Sequence, residues 1–111
     1  MAEEKCLFCD IIAGKIPAEI VDQNDDVIVI KDINPKAPVH LLIIPKKHIV
    51  DVREFEKEDI ELGGKMFALA QKISKDLDNI PFRLVISNGY DAGQRIDHLH
   101  MHFLAGRAFE D

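Results

Sequence analysis

Basic charge, long apolar runs and cysteine are all scarce in this chain of 111 residues. Its 14 Lys and Arg stand against 20 Asp and Glu, a net charge of −6. That balance argues against a long polyanion as partner, because non-specific nucleic-acid binding needs a basic stripe. A small phosphate compound needs only a local site and stays open. No apolar run approaches the roughly 20 residues of a membrane-spanning helix. The Met1-Ala2-Glu3-Glu4-Lys5 start lacks the basic-then-apolar order of a signal peptide. The expected address is therefore the cytoplasm, with no membrane partner. The two cysteines, Cys6 and Cys9, are separated by two residues. In a reducing compartment that spacing reads as a metal or redox site before a structural disulfide. No repeat, low-complexity segment or linker is found, and the length suits one domain, residues 1–111, with a real core.

What the chain does have is clear periodicity. Leu7, Phe8, Ile11 and Ile12 fall at helical spacing before Gly14, which predicts a short N-terminal helix. Glu19–Gln23, the β-branched Val27–Asp32 and Val39–Ile44 read as strands, separated by Asn24-Asp25-Asp26 and by a loop carrying Pro35 and Pro38. From Glu56 the period lengthens: Ile60, Met66, Phe67, Leu69, Ala70, Ile73 and Leu77 mark one side of a helix of about five or six turns. Gly63 and Gly64 cost roughly 1 kcal/mol each there, which implies a close approach or a break. Phe82–Ser87 and His98–Leu104 are the last strands. The expected fold is α+β: about five mostly antiparallel strands, one short and one long helix, with the helices on one face. So small a sheet leaves edge strands that a homodimer would cover.

His98, His100 and His102 alternate with Leu99, Met101 and Phe103, so in a strand the imidazoles share one face and the apolar side chains the other. A surface strand with chance histidines and a purely chelating cluster are the competing readings. A neutral imidazole is a good nucleophile and, once it carries a phosphoryl group, a good leaving group. Flanking imidazoles and loop N–H groups can hold the non-bridging oxygens. Gly89 and Gly93, which a plain hairpin would also explain, let the backbone approach a phosphate, and Gln94 adds a neutral amide. This outlines a nucleotidyl-transfer site.

Gly93-Gln94-Arg95-Ile96-Asp97-His98-Leu99-His100-Met101-His102-Phe103-Leu104-Ala105-Gly106-Arg107 resembles the signature of the histidine triad (HIT) family. Asp32–His48 is similar to the first half of the same fold, so the resemblance runs from about Cys6 to Arg107. Within the family the Ile-Pro-Lys-Lys-His run and the terminal Gly-Arg look closest to the Hint branch, purine nucleoside phosphoramidases. The resemblance implies His100 as the nucleophile, His102 as a phosphate ligand and His40 as a support that orients the nucleophile's ring. It also implies Gln94 near the phosphate and leaving group, Asp32 on the ribose hydroxyls and Ile33 along the base pocket. Taken alone, Asp32 reads equally as an Asx-turn at a strand end and His40 as a satisfied core histidine.

The cysteine pair stands too near the start to follow a strand as a thioredoxin-type dithiol does. Two small buried residues packing the first helix would be the plainer explanation. Some bacterial-type HIT proteins have the same pair, and the resemblance implies a closed, structural zinc site of Cys6, Cys9, His48 and His98. Three features depart from the family pattern. Ser87, followed by Asn88, stands where asparagine is usual. Arg95 stands where a small hydroxyl residue often contacts phosphate. The tail differs from the ending that reaches the neighbouring subunit in some Hint proteins. Composition and resemblance together imply a cytoplasmic, homodimeric HIT hydrolase that binds purine nucleotides. The nucleotide set would be Asp32, Ile33, Ser87, Asn88, Gly93, Gln94, Arg95 and His102, and the catalytic set His40, His98, His100 and His102. A diadenosine polyphosphate hydrolase of the same fold and a non-catalytic nucleotide- or zinc-binding module are the alternatives.

Overall fold

The β-branched run at Val27–Ile30 is buried on both sides, which requires a layer above and below the strand that contains it. In the computed structural model, which describes residues 6–110, that strand is β2 (Val27–Lys31). Around it lie β1 (Ile20–Gln23), β3 (Val39–Pro45), β4 (Phe82–Val85) and β5 (Met101–Ala105). The five form one sheet in the order β1-β2-β3-β5-β4 with every neighbouring pair antiparallel. The N-terminal helix α1 is Leu7–Ile12, capped by Cys6, whose sulfur accepts the Cys9 N–H, and followed by Gly14 at φ 79°. The long helix α2 is Asp59–Asp76.

The helices lie on opposite faces of the sheet, which corrects the expectation of one shared face. Met66, Leu69, Ala70 and Ile73 of α2 pack with Val27, Val29, Leu41, Ile43, Met101 and Phe103. Phe8 and Ile11 of α1 pack with Ile28, Ile30, Leu42 and Ile44. Continuous apolar runs in β2 and β3 are the sequence mark of this two-sided burial.

In α2 the expected apolar side is only partly inward: Met66, Leu69, Ala70 and Ile73 are buried, while Ile60 and Phe67 are 65% and 58% exposed. Gly63 allows the close approach its position implies, since a Cβ there would sit 3.4 Å from the Phe55 ring. Asp78 and Asn79, both at positive φ, stop the chain after α2 and turn it toward β4. After β5 the tail folds back: Phe109 sits 4.8 Å from the Arg83 guanidinium and 4.2 Å from that of Arg107. Arg107 also donates to the Lys36 carbonyl, and Arg83 to that of Glu110.

Candidate active site and metal centre

Strand β5 begins at Met101, not at His98. The shorter strand has a local cause. The His98 N–H turns back to the Ile96 carbonyl and the Leu99 N–H reaches the Ile49 carbonyl, so these residues pair with a loop rather than with β3. The alternation nevertheless persists. Leu99, Met101 and Phe103 point into the α2-side core, and the α1-side Phe8 stands edge-on to both His98 and His100, at 5.8 and 5.1 Å between ring centres. His40 joins from β3, whose register sets it opposite Leu104 and sets Leu42 opposite His102.

Hydrogen bonds assign the ring protons. His100 Nδ1 lies 2.8 Å from the His98 carbonyl, which only accepts, so Nδ1 carries the hydrogen and Nε2 the lone pair. That is the form a nucleophile needs. His40 Nδ1 accepts the Lys36 N–H at 2.9 Å, which puts the ring's proton on Nε2; that nitrogen is 2.9 Å from His102 Nδ1. His40 thus supports His102 and not the ring of His100, a correction set by the strand register. Burial, then the neighbouring His100 and His40, hold the His102 ring down to about 4. Burial likewise lowers His40, opposed by the charge of Asp32. Both are neutral donors at neutral pH.

Cys6, Cys9, His48 and His98 converge: one donor atom from each lies within 4.8 Å of the others. His98 Nδ1 is 3.2 Å from Cys6 Sγ and 3.6 Å from Cys9 Sγ, and His48 Nδ1 is 3.2 Å from Cys9 Sγ. Bond lengths of about 2.3 Å to sulfur and about 2.0 Å to nitrogen around a tetrahedral zinc put adjacent S and N roughly 3.6 Å apart, so the cluster has the right size. The donor chemistry agrees. His98 Nε2 donates to the Pro45 carbonyl at 2.8 Å, which turns the lone pair of Nδ1 toward the thiols. Burial and the neighbouring Cys6 push the Cys9 thiol up to about 11, a cost that a bound dication reverses. The residues fit a closed structural zinc site.

The glycine loop is a 3-10 turn, Tyr90–Ala92, flanked by Gly89 at φ 98° and Gly93 at φ 110°. Gln94 closes it from inside. Its amide nitrogen donates to the Val50 and Ile96 carbonyls at 2.7 and 3.0 Å, its oxygen accepts the Gly89 N–H at 2.8 Å, and it is 3% exposed. Both amide hydrogens are used, so the expected contact to phosphate and leaving group gives way to a loop brace. Asn88 Oδ1 accepts the Val52 N–H. The Ser87 hydroxyl lies beside Gly93, 3.5 Å from where a Cβ would be. Arg95 stacks on Tyr90 at 4.0 Å and donates to the Tyr90 carbonyl. Asp32 Oδ1 accepts the Asn34 N–H at 2.7 Å, the Asx-turn the sequence permits, while its Oδ2 faces His40 at 3.3 Å. Ile33 is 91% exposed beside it.

Sequence reasoning missed three contributors. Phe8 reads as an ordinary core residue, yet it touches two of the three alternating histidines. The Pro45 carbonyl that fixes His98 carries no side-chain signal. Asp51, 1% exposed, takes two bonds from the Arg53 guanidinium and caps the turn Val52–Glu54 beside the loop. An Asp two residues before an Arg in a loop was its only trace.

With this geometry in place, comparison with known proteins is direct. The family model described as "Scavenger mRNA decapping enzyme C-term binding" matches residues 5–109. A HIT-like protein of Synechocystis is 44% identical, the match covering 98% of this chain and 96% of that one. A HIT family hydrolase of Clostridium thermocellum superposes with a TM-score of 0.92 at 41% identity, covering 99% and 97% of the two chains. A histidine triad protein of Clostridium difficile gives 0.92 at 33% identity, covering 100% and 98%. The chain belongs to the histidine triad family.

Proposed function

We propose that this protein is a nucleotide hydrolase that cleaves purine nucleoside 5′-phosphoramidates through a nucleotidyl-histidine intermediate. The observation that carries the reading is the His100 ring. Its Nδ1 hydrogen is tied to a main-chain carbonyl, so Nε2 keeps a lone pair for attack. His100 Nε2 forms a bond to the α-phosphorus as the phosphorus–nitrogen bond breaks, and the amine leaves with a proton from water or the neighbouring imidazoles. Water then attacks the phosphorus, releasing the nucleoside monophosphate and the free ring. His102 holds a non-bridging oxygen from its Nε2–H, and loop N–H groups add to that field. Asp32 takes the ribose hydroxyls, and Ile33 lies along the base. Ser87, Asn88, Gly93 and Arg95 line the phosphate side, with Gln94 bracing their loop. The cysteine–histidine set would hold zinc, which supplies a structural cross-link between α1 and the segment leading to β5.

The acting unit is a cytoplasmic homodimer of one-domain chains. Support comes from β4, an edge strand with Phe82 and Val85 exposed, and from the exposed Ile60 and Phe67 of α2. Among the described residues no helix is long and apolar enough to cross a membrane.

A diadenosine polyphosphate is the second reading, favoured by the Arg95 guanidinium, which suits an anionic leaving group. Relative turnover of the two substrates separates them. The direct test is incubation with adenosine 5′-phosphoramidate and trapping of an acid-labile phosphohistidine adduct. His100→Ala is expected to retain nucleotide binding and lose both adduct and turnover, and unchanged turnover would remove the reading.

A further inference from the structure

Asp32, His40 and His102 each bring one donor atom within 4.8 Å of the other two, and the ring protons order them into a chain. His40 Nδ1 is occupied as an acceptor from the Lys36 N–H. The neutral ring therefore has its single hydrogen on Nε2, and that hydrogen is shared with His102 Nδ1 at 2.9 Å, with the charge of Asp32 Oδ2 beside it at 3.3 Å. A nitrogen that carries a proton has no lone pair for a metal, so the trio is a hydrogen-bonded pair of rings with a carboxylate beside it rather than a second metal centre. With its Nδ1 accepting, His102 keeps its own proton on Nε2, the nitrogen on the far side of the ring from His40.

Asp32 is held for this arrangement. The Asn34 N–H fixes Oδ1 at 2.7 Å, which leaves Oδ2 directed at His40, whose side chain is 3% exposed. A carboxylate beside a buried N–H favours the tautomer with the proton on that nitrogen. With the His40 hydrogen kept on Nε2, His102 Nδ1 stays an acceptor and its Nε2–H stays available to a phosphate oxygen. We propose that Asp32 is a positioning residue for His102, acting through His40, so that the group that meets the sugar also sets the proton donor at the phosphate. This deepens the hydrolase reading and rests on it for the reaction, though not for the arrangement of ring protons. One carboxylate can accept from a ribose hydroxyl and stand beside the His40 N–H, so sugar and phosphate recognition meet at Asp32.

The test combines spectroscopy with a double-mutant cycle. In 15N spectra of the free protein, both His40 and His102 are expected as the Nε2-protonated form, and Asp32→Asn is expected to shift His102 toward a mixture of tautomers. A wild-type His102 protonated on Nδ1, or a His102 signal unchanged in Asp32→Asn, overturns this arrangement. With adenosine 5′-phosphoramidate and its 2′,3′-dideoxy counterpart, Asp32→Asn is expected to lower kcat by about tenfold or more on both substrates. In a His40→Gln background the same change should cost less than about twofold. A loss confined to KM on the ribose-bearing substrate, or equal losses in both backgrounds, would leave Asp32 a sugar ligand only and overturn the proposal. If the wild-type protein turns over neither substrate, the hydrolase reading falls while the spectra still decide the arrangement of ring protons.

Discussion

The main-chain carbonyl of His98 accepts the Nδ1 hydrogen of His100 at 2.8 Å, so a member of the cysteine–histidine cluster orients the ring whose Nε2 keeps its lone pair. Cluster and His100 are joined a second time by Phe8, which lies between the two cysteines and stands edge-on to the His98 and His100 rings. Alternating histidines that look equivalent in a strand thus divide by their hydrogen bonds, and the proposed reaction makes them a fixed support, a nucleophile and a phosphate donor.

Metal content tests the first of these roles. Protein purified without chelator is expected to hold about one zinc per chain, and Cys6→Ser with Cys9→Ser to hold none. Loss of the cross-link should lower the thermal midpoint by roughly 10 °C, the equivalent of about 2 kcal/mol for a chain of this size. Turnover per folded molecule should fall with it as His98 loosens. Zinc stoichiometry unchanged in the double variant would show that the four residues are not the site.

His102 sets an acid limit. Its ring titrates near 4 in the fold against about 6.5 in an unfolded chain. Between those values the unfolded state binds more protons. The stability contributed by the neutral ring is therefore complete above about pH 6.5 and is lost as the pH falls toward 4. Urea unfolding of wild type and His102→Gln at pH 7 and pH 4.5 should show a smaller acid-induced loss in the variant. An NMR titration should find the ring neutral at pH 5.5.

Gln94→Ala tests the loop brace. It strips the partner from the Gly89 N–H and from the Val50 carbonyl, while the Ile96 carbonyl keeps the His98 N–H, and unmet buried groups cost about 1–3 kcal/mol each. A total loss of roughly 2–4 kcal/mol in denaturant unfolding is expected, with greater amide exchange across 89–93. A stability equal to wild type would return Gln94 to the role of a free ligand-facing amide.

Much of this was legible in the chain because periodicity reports burial. Apolar runs and alternation predicted all five strands, and Gly14 marked the end of α1 through the backbone angle it tolerates. The illegible parts depended on contacts distant in sequence. Alternation in the histidine run said which residues share a face, but not that Ile49 captures the Leu99 N–H and delays β5 to Met101. Ile60 and Phe67 lie roughly 100° or more around α2 from the centre of the Met66, Leu69, Ala70 and Ile73 stripe, so counting them on one apolar side drew that side too wide. The roles of Gln94 and His40 come from the family resemblance alone. Their actual partners follow from loop closure and from the pairing of His40 with Leu104 across β3 and β5.

Two glycines separate helix propensity from backbone necessity. Gly64 lies in α2 with nothing within 4 Å of an added Cβ, so Gly64→Ala should stabilise the fold by about 0.5–1 kcal/mol. Gly106 follows β5 at φ 97°, and a Cβ there would meet that of Pro38 at 2.9 Å. Gly106→Ala should cost about 1–3 kcal/mol. Its effect should also reach the site. Gly106 leads into Arg107, which donates to the Lys36 carbonyl, and the Lys36 N–H in turn fixes His40. Displacing that loop frees His40 Nδ1 and with it the tautomer of His102. Gly106→Ala is therefore expected to lower kcat at temperatures where the variant is still fully folded, and Gly64→Ala to leave kcat unchanged. Equal kcat for Gly106→Ala and wild type below the unfolding transition would show that the Pro38 loop does not hold the histidine pair.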